Sequence, residues 1–547
     1  MNMAYASLRR VAFRTLGIAG VAGGLAYGSA AAAQARSQIS PYLEVEQVFD
    51  ADLKNGDTLT YTSVAAGVDA QVSTNRVDAQ VSYRYERRIA WEDDLVDEDV
   101  HSGLAQARVE VVRDLLSLDG GAIAARGRLD SRGPAFGFRT ADDRNIAQIY
   151  GVYAGPTLST HLGALSVNAA YRFGYVKVDD HGFDTGLPGG RRDRFDSSTN
   201  HNATASVGMA PGTLPFGWTV GAGYDREDSN RLDHKFEGKY VRGDVVLPVT
   251  STVAVTGGVG YEKLEASQQD IVRDSTGQPV VTPGGRLVAD PSKPRLIAYD
   301  QDGVIWDAGV IWRPNPRTEL MARVGRRYGG TTYIGTLRYE MSSNYALNAV
   351  VYDSVTSFGR SVIRDINGLP TKFKNNNRGL AGGFGGVGGC IFGSKPGTGS
   401  CMDDAFMSVA SEDFRVRGGN LILSGSRGVW DLAVGLGYAR RKYIAVVGGG
   451  FFPIDGVNEE SATLDASIGR DLTATSGIEF DAYAAWYDSG LAGSDDVFSS
   501  GITATYYRSF LMEQLQAEAS LGLYTTDSSS TESSLIASGL VGLSYTF

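Results

Sequence analysis

Beyond its first 35 residues this chain contains no run of about 18 consecutive apolar residues, so no transmembrane helix is expected. Proline is scarce, at 16 of 547 residues, and no segment has the composition of a linker between soluble domains. Cysteine occurs only twice, as Cys390 and Cys401. The five histidines, His101, His161, His181, His201 and His234, are scattered, and none lies near the cysteines. No metal site is therefore expected. There is no HExxH, no P-loop and no GxSxG elbow, so neither an enzyme nor a cofactor is expected. Asp179-Asp180-His181 suggests a hydrolase dyad, but such a triplet beside an acidic loop is better read as a solvated rim. Basic excess is also missing: the net charge is −11, which argues against nucleic acid as a partner.

The chain is rich in glycine (70) and tyrosine (27), a bias that favours many strands, tight turns and interfacial aromatics. Its hydrophobic content, 42%, is low for a helical membrane protein and ordinary for a barrel, half of whose strand positions face water.

Residues 1–35 read as a secretory signal peptide. Arg9, Arg10 and Arg14 come first, without an acid. A short run rich in Ala and Gly follows from Thr15 to Ala26, too short to anchor in a bilayer. It closes on Ala31-Ala32-Ala33-Gln34-Ala35, with cleavage expected after Ala33 or Ala35. Removing this segment would take the net charge from −11 to −14.

At the other end, Gly539, Val541, Leu543, Tyr545 and Phe547 fall on one face of a strand, and Leu540, Gly542, Ser544 and Thr546 on the other. An exposed soluble edge ending this way invites aggregation. In a closed transmembrane barrel the last strand pairs with the first, and the aromatics sit at the membrane interface. Tyr545 and Phe547 resemble the C-terminal signal read by the barrel-assembly machinery of Gram-negative outer membranes.

Strand-like alternation recurs from about Ile39 to Phe547. Val77, Ala79, Val81, Tyr83 and Tyr85 alternate with Asp78, Gln80, Ser82, Arg84 and Glu86. Leu165, Val167, Ala169, Tyr171, Phe173 and Tyr175 alternate with polar or small residues, as do Trp430, Leu432, Val434, Leu436 and Tyr438. A soluble sandwich also alternates, but it needs large interdigitating side chains. Here the apolar faces hold Ala and Gly in the middle and aromatics towards the ends, as in a lipid-facing band. Connections alternate between short ones, such as Ser73-Thr74-Asn75 and Ser426-Arg427-Gly428, and long ones, such as Asp179 to Asn200 and Ser354 to Glu412. The expectation is an all-β fold: one transmembrane antiparallel up-and-down β-barrel over residues 36–547. It should have about 22 strands, with 20 to 24 in range, short periplasmic turns and long outer loops. Phe414 to Leu423 is irregular, because Arg415 and Arg417 share parity with Leu421 and Leu423, so a bulge is expected at Gly418-Gly419.

A barrel this wide must be wet, plugged or filled. The first strand begins soon after the signal segment, which leaves no room for an N-terminal plug domain. The lumen-lining candidates are Arg84, Arg108, Glu110, Arg126, Arg128, Arg172, Asp307, Arg323, Arg338, Asp465, Asp481 and Glu518, with Tyr483 and Tyr487 as rings that suit sugar faces. Most such charges simply pair and brace the wall; a hydrophilic conduit is the sharper alternative. In an exported chain Cys390 and Cys401 are expected to form a disulfide. It either braces a Gly-rich outer loop or belongs to a loop folded inward as a constriction, and both stay open here. The acidic loop Glu92-Asp93-Asp94 fits a solvated rim, with ion-bridged lipopolysaccharide as the alternative.

One region has a family likeness. Trp312-Arg313-Pro314-Asn315-Pro316-Arg317-Thr318 is followed by Arg326-Arg327-Tyr328-Gly329-Gly330, Tyr333 and Tyr352-Asp353-Ser354-Val355. Arg440-Arg441-Lys442-Tyr443 looks like a later element of the same pattern. These segments resemble outer-membrane barrels of the porin-2 type that accompany exopolysaccharide and PEP-CTERM gene clusters. Asn315 and the Cys-bearing insertion depart from that pattern. The resemblance implies a conduit for exopolysaccharide export in the cell outer membrane of a Gram-negative envelope, with no catalytic residues. It implies as partners outer-membrane lipid and lipopolysaccharide, the barrel-assembly machinery and a periplasmic polysaccharide-export protein. The alternatives are a general or substrate-selective diffusion porin and a surface-structural barrel.

Overall fold

Side-chain alternation decides which face of each strand meets lipid, and it holds along almost every strand. The computed structural model describes residues 36–547 apart from 92–96, 131–144, 180–194, 283–285, 376–377, 383–388, 447–453, 492, 495 and 529–530. The expected signal peptide lies outside the described residues. So do Glu92, Asp93, Asp94, Asp180 and His181.

Strands β1 to β5 run Arg36–Asp52, Thr58–Ser73, Val77–Ala90, Glu98–Val112 and Leu116–Arg128. Strands β6 to β11 run Ile146–Leu162, Leu165–Asp179, Ser197–Met209, Gly217–Ser229, His234–Pro248 and Val253–Gln268. A two-residue pair, β12 (Asp270–Ile271) and β13 (Ala289–Asp290), decorates the next loop. Strands β14 to β17 run Leu296–Asn315, Thr318–Arg327, Gly330–Glu340 and Tyr345–Thr356. Then come helix α1 (Phe358–Gly368), the hairpin β18 (Cys390–Phe392) and β19 (Gly399–Cys401), and the single turn α2 (Asp403–Phe406). Strands β20 to β26 run Asp413–Arg427, Trp430–Ile444, Asn458–Thr473, Ser476–Asp488, Val497–Phe510, Leu515–Ser528 and Thr531–Thr546.

Twenty-two of these strands form one antiparallel sheet, each paired with its neighbours in sequence order. The sheet closes on itself: β1 pairs with β26 from Tyr42↔Thr546 to Asp52↔Ile536. The Phe547 amide then donates to the Pro41 carbonyl at 3.0 Å. Closure leaves no edge with unpaired backbone groups, which a hydrocarbon environment would not tolerate.

The outer surface is apolar. Leu521, Val541 and Ile502 are 72%, 67% and 59% exposed although each sits mid-strand. Such a surface is favourable against lipid. Aromatics bracket the band. Phe498 and Tyr506 on β24, and Trp430 and Tyr438 on β21, stand eight residues apart. That is about 26 Å along a strand at about 3.3 Å per residue. Every connection at one rim is short, and all the long connections lie at the other. We therefore call these rims periplasmic and outer.

One strand differs from expectation. β20 carries no bulge: Arg417↔Asp353, Gly418↔Tyr352 and Gly419↔Val351 pair in unbroken register with β17. Arg415 and Arg417 stay on the outward face because Asp353 and the Thr331 carbonyl receive them near the outer rim. Their charge is met locally, so the strand has no need to reverse its parity.

Candidate functional site

The lumen is not empty. After β17 the chain turns inward, and residues 357–412 run down inside the barrel before returning to β20.

Local sequence explains the first leg. Ser357 caps α1, its Oγ accepting from the Arg360 amide at 3.2 Å. Phe358, Val362, Ile363 and Ile366 recur at helical spacing and face the wall. They pack on Leu104, Ile123, Ile149 and Val176 from the inner face of β4–β7. Each such side chain contributes about 1.5–3 kcal/mol when buried. The wall opposite is glycine: a Cβ on Gly151 would meet Ile366 at 2.7 Å, and one on Gly174 would meet Ile363 at 2.8 Å.

A buried polar latch holds the start of this helix. Ser357 Oγ donates to Glu227. The Arg360 guanidinium lies 3.5 Å from Glu227 and 3.7 Å from Asp413, stacked on the Phe236 ring. His234 Nε2 and Asp413 Oδ2 are 2.7 Å apart. These charges are deep in the fold, and removing any one would strand another.

Lower down, Gln106 Nε2 donates to the Ile366 carbonyl at 2.7 Å. Lys372 reaches Asp78 at 3.4 Å and Ser73 at 3.1 Å, at the periplasmic ends of β3 and β2. Asn375 donates to Asp69 at 2.6 Å. Leu380 is wholly buried against Val48, Tyr61, Tyr524, Ile536 and Leu540. Cys390 and Cys401 form a disulfide that ties β18 to β19. It lies so close to the inner wall that a Cβ on Gly435 would meet Cys390 Sγ at 2.5 Å. On the way out, Ser408 donates to Glu459 at 2.7 Å, and its carbonyl accepts from Arg441 at 3.0 Å. The Cys-bearing loop is thus folded inward: it is a plug that spans the lumen from outer rim to periplasmic end. Gly385 to Gly388 of this loop lie outside the described residues.

The plug sorts the lumen candidates. Some sit in sealed wall. Arg84 is enclosed by Glu44 at 2.7 Å, Glu46 at 2.8 Å and Glu86. Arg128 lies on the Tyr487 ring at 3.7 Å, and Tyr483, Tyr487 and Asp481 are buried. The two tyrosines therefore do not offer rings to a passing sugar, because the plug and neighbouring strands cover them. Arg126 lies 3.5 Å from Glu98. Others touch the plug. Glu518 accepts from the Gly379 amide at 3.3 Å, and Arg172 reaches Asn367 at 3.4 Å and Asp119 at 2.8 Å. Asp465 lies beside the disulfide hairpin, on the wall of a cavity of about 380 Å³ shared with Lys374, Arg378, Asp431 and Glu479. Glu110 accepts from the Asp114 amide at a periplasmic turn. Arg108, 60% exposed, holds Asp119 at 2.7 Å.

The rest lie on wall that the plug leaves bare. Among the described residues, no hydrogen bond or ion pair joins the plug to β11 or to β14–β16. That stretch and the adjoining β10 carry a ladder of opposite charges. Arg323 meets Asp244 at 2.9 Å and Asp307 at 3.4 Å, and Arg242 meets Asp307 at 2.9 Å. Nearer the periplasm, Arg313 meets Glu319 at 3.0 Å, and Arg338, 72% exposed, meets Glu340 at 2.6 Å.

Sequence reasoning missed the plug's anchors. Gln80 and Gln106 were visible on inward faces but carry no charge to draw notice. Helix α1 had a findable signal, Ser357 followed by apolar residues at helical spacing.

A closed 22-stranded ring, apolar outside and charged within, is a transmembrane β-barrel of the outer-membrane kind. Solved structures with a similar arrangement include the FrpB iron transporter from Neisseria meningitidis (F5-1 variant), at 11% identity over 93% of this chain and 82% of that chain, with a TM-score of 0.44. The ferric-catecholate import receptor Fiu from E. coli K12, open form, matches at 10% identity over 94% and 82%, with a TM-score of 0.46. The copper transporter OprC matches at 12% identity over 95% and 84%, with a TM-score of 0.43. The strand count and closure of this chain rest on its own register. No family model and no curated protein matches it.

Proposed function

We propose that this barrel passes hydrophilic solutes across the outer membrane by a narrow route between its internal plug and the β11–β16 wall. One observation carries this reading: the plug bonds to or packs against most strands of the ring and leaves one charged strip uncovered. Arg242, Arg313, Arg323 and Arg338 alternate there with Asp244, Asp307, Glu319 and Glu340. A balanced ladder keeps water in the strip and suits polar cargo of either sign. Substrate-selective passage of small solutes is the reading this geometry favours.

Polysaccharide export is the second reading. It is favoured by the porin-2-like segments Trp312 to Thr318, Arg326 to Gly330 and Tyr352 to Val355. A polymer would need the plug to move aside, which a periplasmic export partner would have to drive.

Single-channel recording in planar bilayers separates these readings. The wild-type barrel should show small, steady conductance. A variant with residues 369–402 replaced by a short Gly-Ser linker should conduct several-fold more. Equal conductance in the two would overturn the plug-limited route. Secreted polymer lost on deletion of the gene, and restored by the wild-type chain, would put export in front.

A further inference from the structure

On the lipid-facing side of the outer rim, charges are mostly neutralised along their own strands. Lys177 lies 3.6 Å from Asp179, Arg226 2.8 Å from Asp228 and Lys263 3.5 Å from Glu265. Lys239 and Lys263 stand opposite each other on β10 and β11, but Glu237 and Glu265 stand opposite each other one step further out. Those four charges sum to zero, and Asp302 and Asp300 stand opposite Lys263 and Glu265 on β14, so the patch carries no positive excess.

Strands β15, β20 and β21 break this habit. Arg417 is directly opposite Arg440, and Arg415 is directly opposite Lys442. All four project outward, with Arg326 on β15 at a similar height. Like charges directly opposed across a sheet are destabilising. Among the described residues, three acids share the surface: Asp353, held by Arg415 and Arg417, Glu460, 3.3 Å from Arg440, and Asp488, opposite Glu460 on β23. Five cations against three acids leave an excess of two positive charges in a chain whose net charge is −11. Arg326 and Lys442 are exposed, and neither has an ion pair among the described residues.

The height of the patch identifies its ligand. Tyr333 and Tyr438 are exposed just below it, and Trp306 pairs with Arg326 across β14 and β15. Such aromatics mark the membrane interface. Arg440 lies two residues beyond Tyr438, about 7 Å towards the outside. Cations at that depth meet the headgroups of the outer leaflet, and guanidinium pairs there suit phosphate. Segments singled out in the sequence, Arg326 to Gly330, Tyr352 to Val355 and Arg440 to Tyr443, converge on this surface.

We propose that Arg326, Arg415, Arg417, Arg440 and Lys442 form a binding site for the phosphorylated headgroup of an outer-leaflet glycolipid, lipid A. The site is separate from the lumen and does not depend on what the barrel transports.

Native mass spectrometry of the full barrel in detergent, titrated with hexa-acylated bisphosphorylated lipid A, tests this. The wild type should hold one lipid A that survives activation and that inorganic phosphate at the same concentration does not displace. The variant Arg326→Gln/Lys442→Gln removes the two cations without an ion pair and so leaves the bonding of the wall intact. It should bind about tenfold more weakly. Arg417→Gln/Arg440→Gln should lose the adduct, while Lys239→Gln should bind like the wild type. Heat-modifiable migration on gels confirms that each variant is a folded barrel. Unchanged retention by Arg326→Gln/Lys442→Gln, equal loss in Lys239→Gln, or displacement by inorganic phosphate would each overturn the assignment, as would absence of an adduct on the wild type.

Discussion

Gln80 holds Phe373 by both sides of its backbone. Its Nε2 donates to the Phe373 carbonyl at 2.9 Å, and its Oε1 accepts from the Phe373 amide at 3.1 Å. The two residues are 293 apart in sequence, so a strand side chain stands in for a β-bridge and pins the plug to the wall. Gln80→Leu keeps the volume but removes both of these hydrogen bonds. We expect about 2–3 kcal/mol less plug docking energy. Global unfolding of the barrel should change little, because no ladder bond is lost. Limited proteolysis should show faster cleavage within residues 369–402, and channel recordings should show more frequent large openings. A cleavage rate equal to wild type would refute the anchoring role.

The disulfide acts at the far turn of the same segment. Cys390 and Cys401 are 11 residues apart, and in the chain-entropy account closing such a loop contributes about 3 kcal/mol. The barrel ring does not need it, since no barrel strand carries either cysteine. Cys390→Ala/Cys401→Ala should therefore keep the wild-type urea midpoint of the barrel while loosening the plug. The measurement is the rate of hydrogen exchange in residues 389–402 compared with that in β25 and β26. Slowed exchange in the plug, or a lowered barrel midpoint, would contradict this division of labour.

Leu521 tests the membrane boundary. It lies at mid-height on β25, opposite Ala504 and Gly539, and is the most exposed leucine of its strand. Leu521→Arg should destabilise the barrel by about 2–4 kcal/mol in lipid vesicles, the cost of a cation near the midplane. Leu521→Ala should cost about 1 kcal/mol, because lipid chains refill the space. Urea unfolding of barrels refolded into vesicles gives both values. Equal effects from the two substitutions would mean that this face does not meet hydrocarbon.

The lipid-facing half of this fold could be read from the sequence because lipid imposes one simple rule on alternate residues. Val541, Leu543 and Tyr545 obey it, and their partners Leu540 and Ser544 do not have to. The inward half follows two rules at once. Where it meets water it is charged, as at Arg338. Where it meets the plug it is apolar, as at Leu104, Ile123, Val176 and Leu540. A strand that is apolar on both faces, such as Ile149-Tyr150-Gly151-Val152-Tyr153, was the available sign that something packs inside. The plug itself resisted reading because its contacts are long-range and rich in glycine. Gly151, Gly174 and Gly435 matter for the room they leave, which no periodicity records. The alternation also hid the difference between a charge sealed in the wall, Arg84, and one facing open water, Arg338, since both occupy inward positions.

The uncovered strip makes a selectivity prediction. Arg313 and Arg338 are its most exposed cations, and each has a carboxylate partner at 3.0 Å or less, Glu319 and Glu340. With four cations and four acids the strip should discriminate weakly between potassium and chloride. Arg313→Glu/Arg338→Glu changes that balance to two cations and six acids. The partners would then repel their new neighbours, but the side chains are exposed enough for water to screen them, so folding should survive. The reversal potential in a tenfold potassium chloride gradient should move clearly towards the potassium limit. The shift should shrink as ionic strength rises, because the Debye length falls from about 10 Å at 0.1 M to about 3 Å at 1 M. The same pair of substitutions made at two buried cations, Arg84 and Arg128, would instead bury unpaired acids and should prevent folding. A reversal potential unmoved by Arg313→Glu/Arg338→Glu would mean that ions take another path through the barrel.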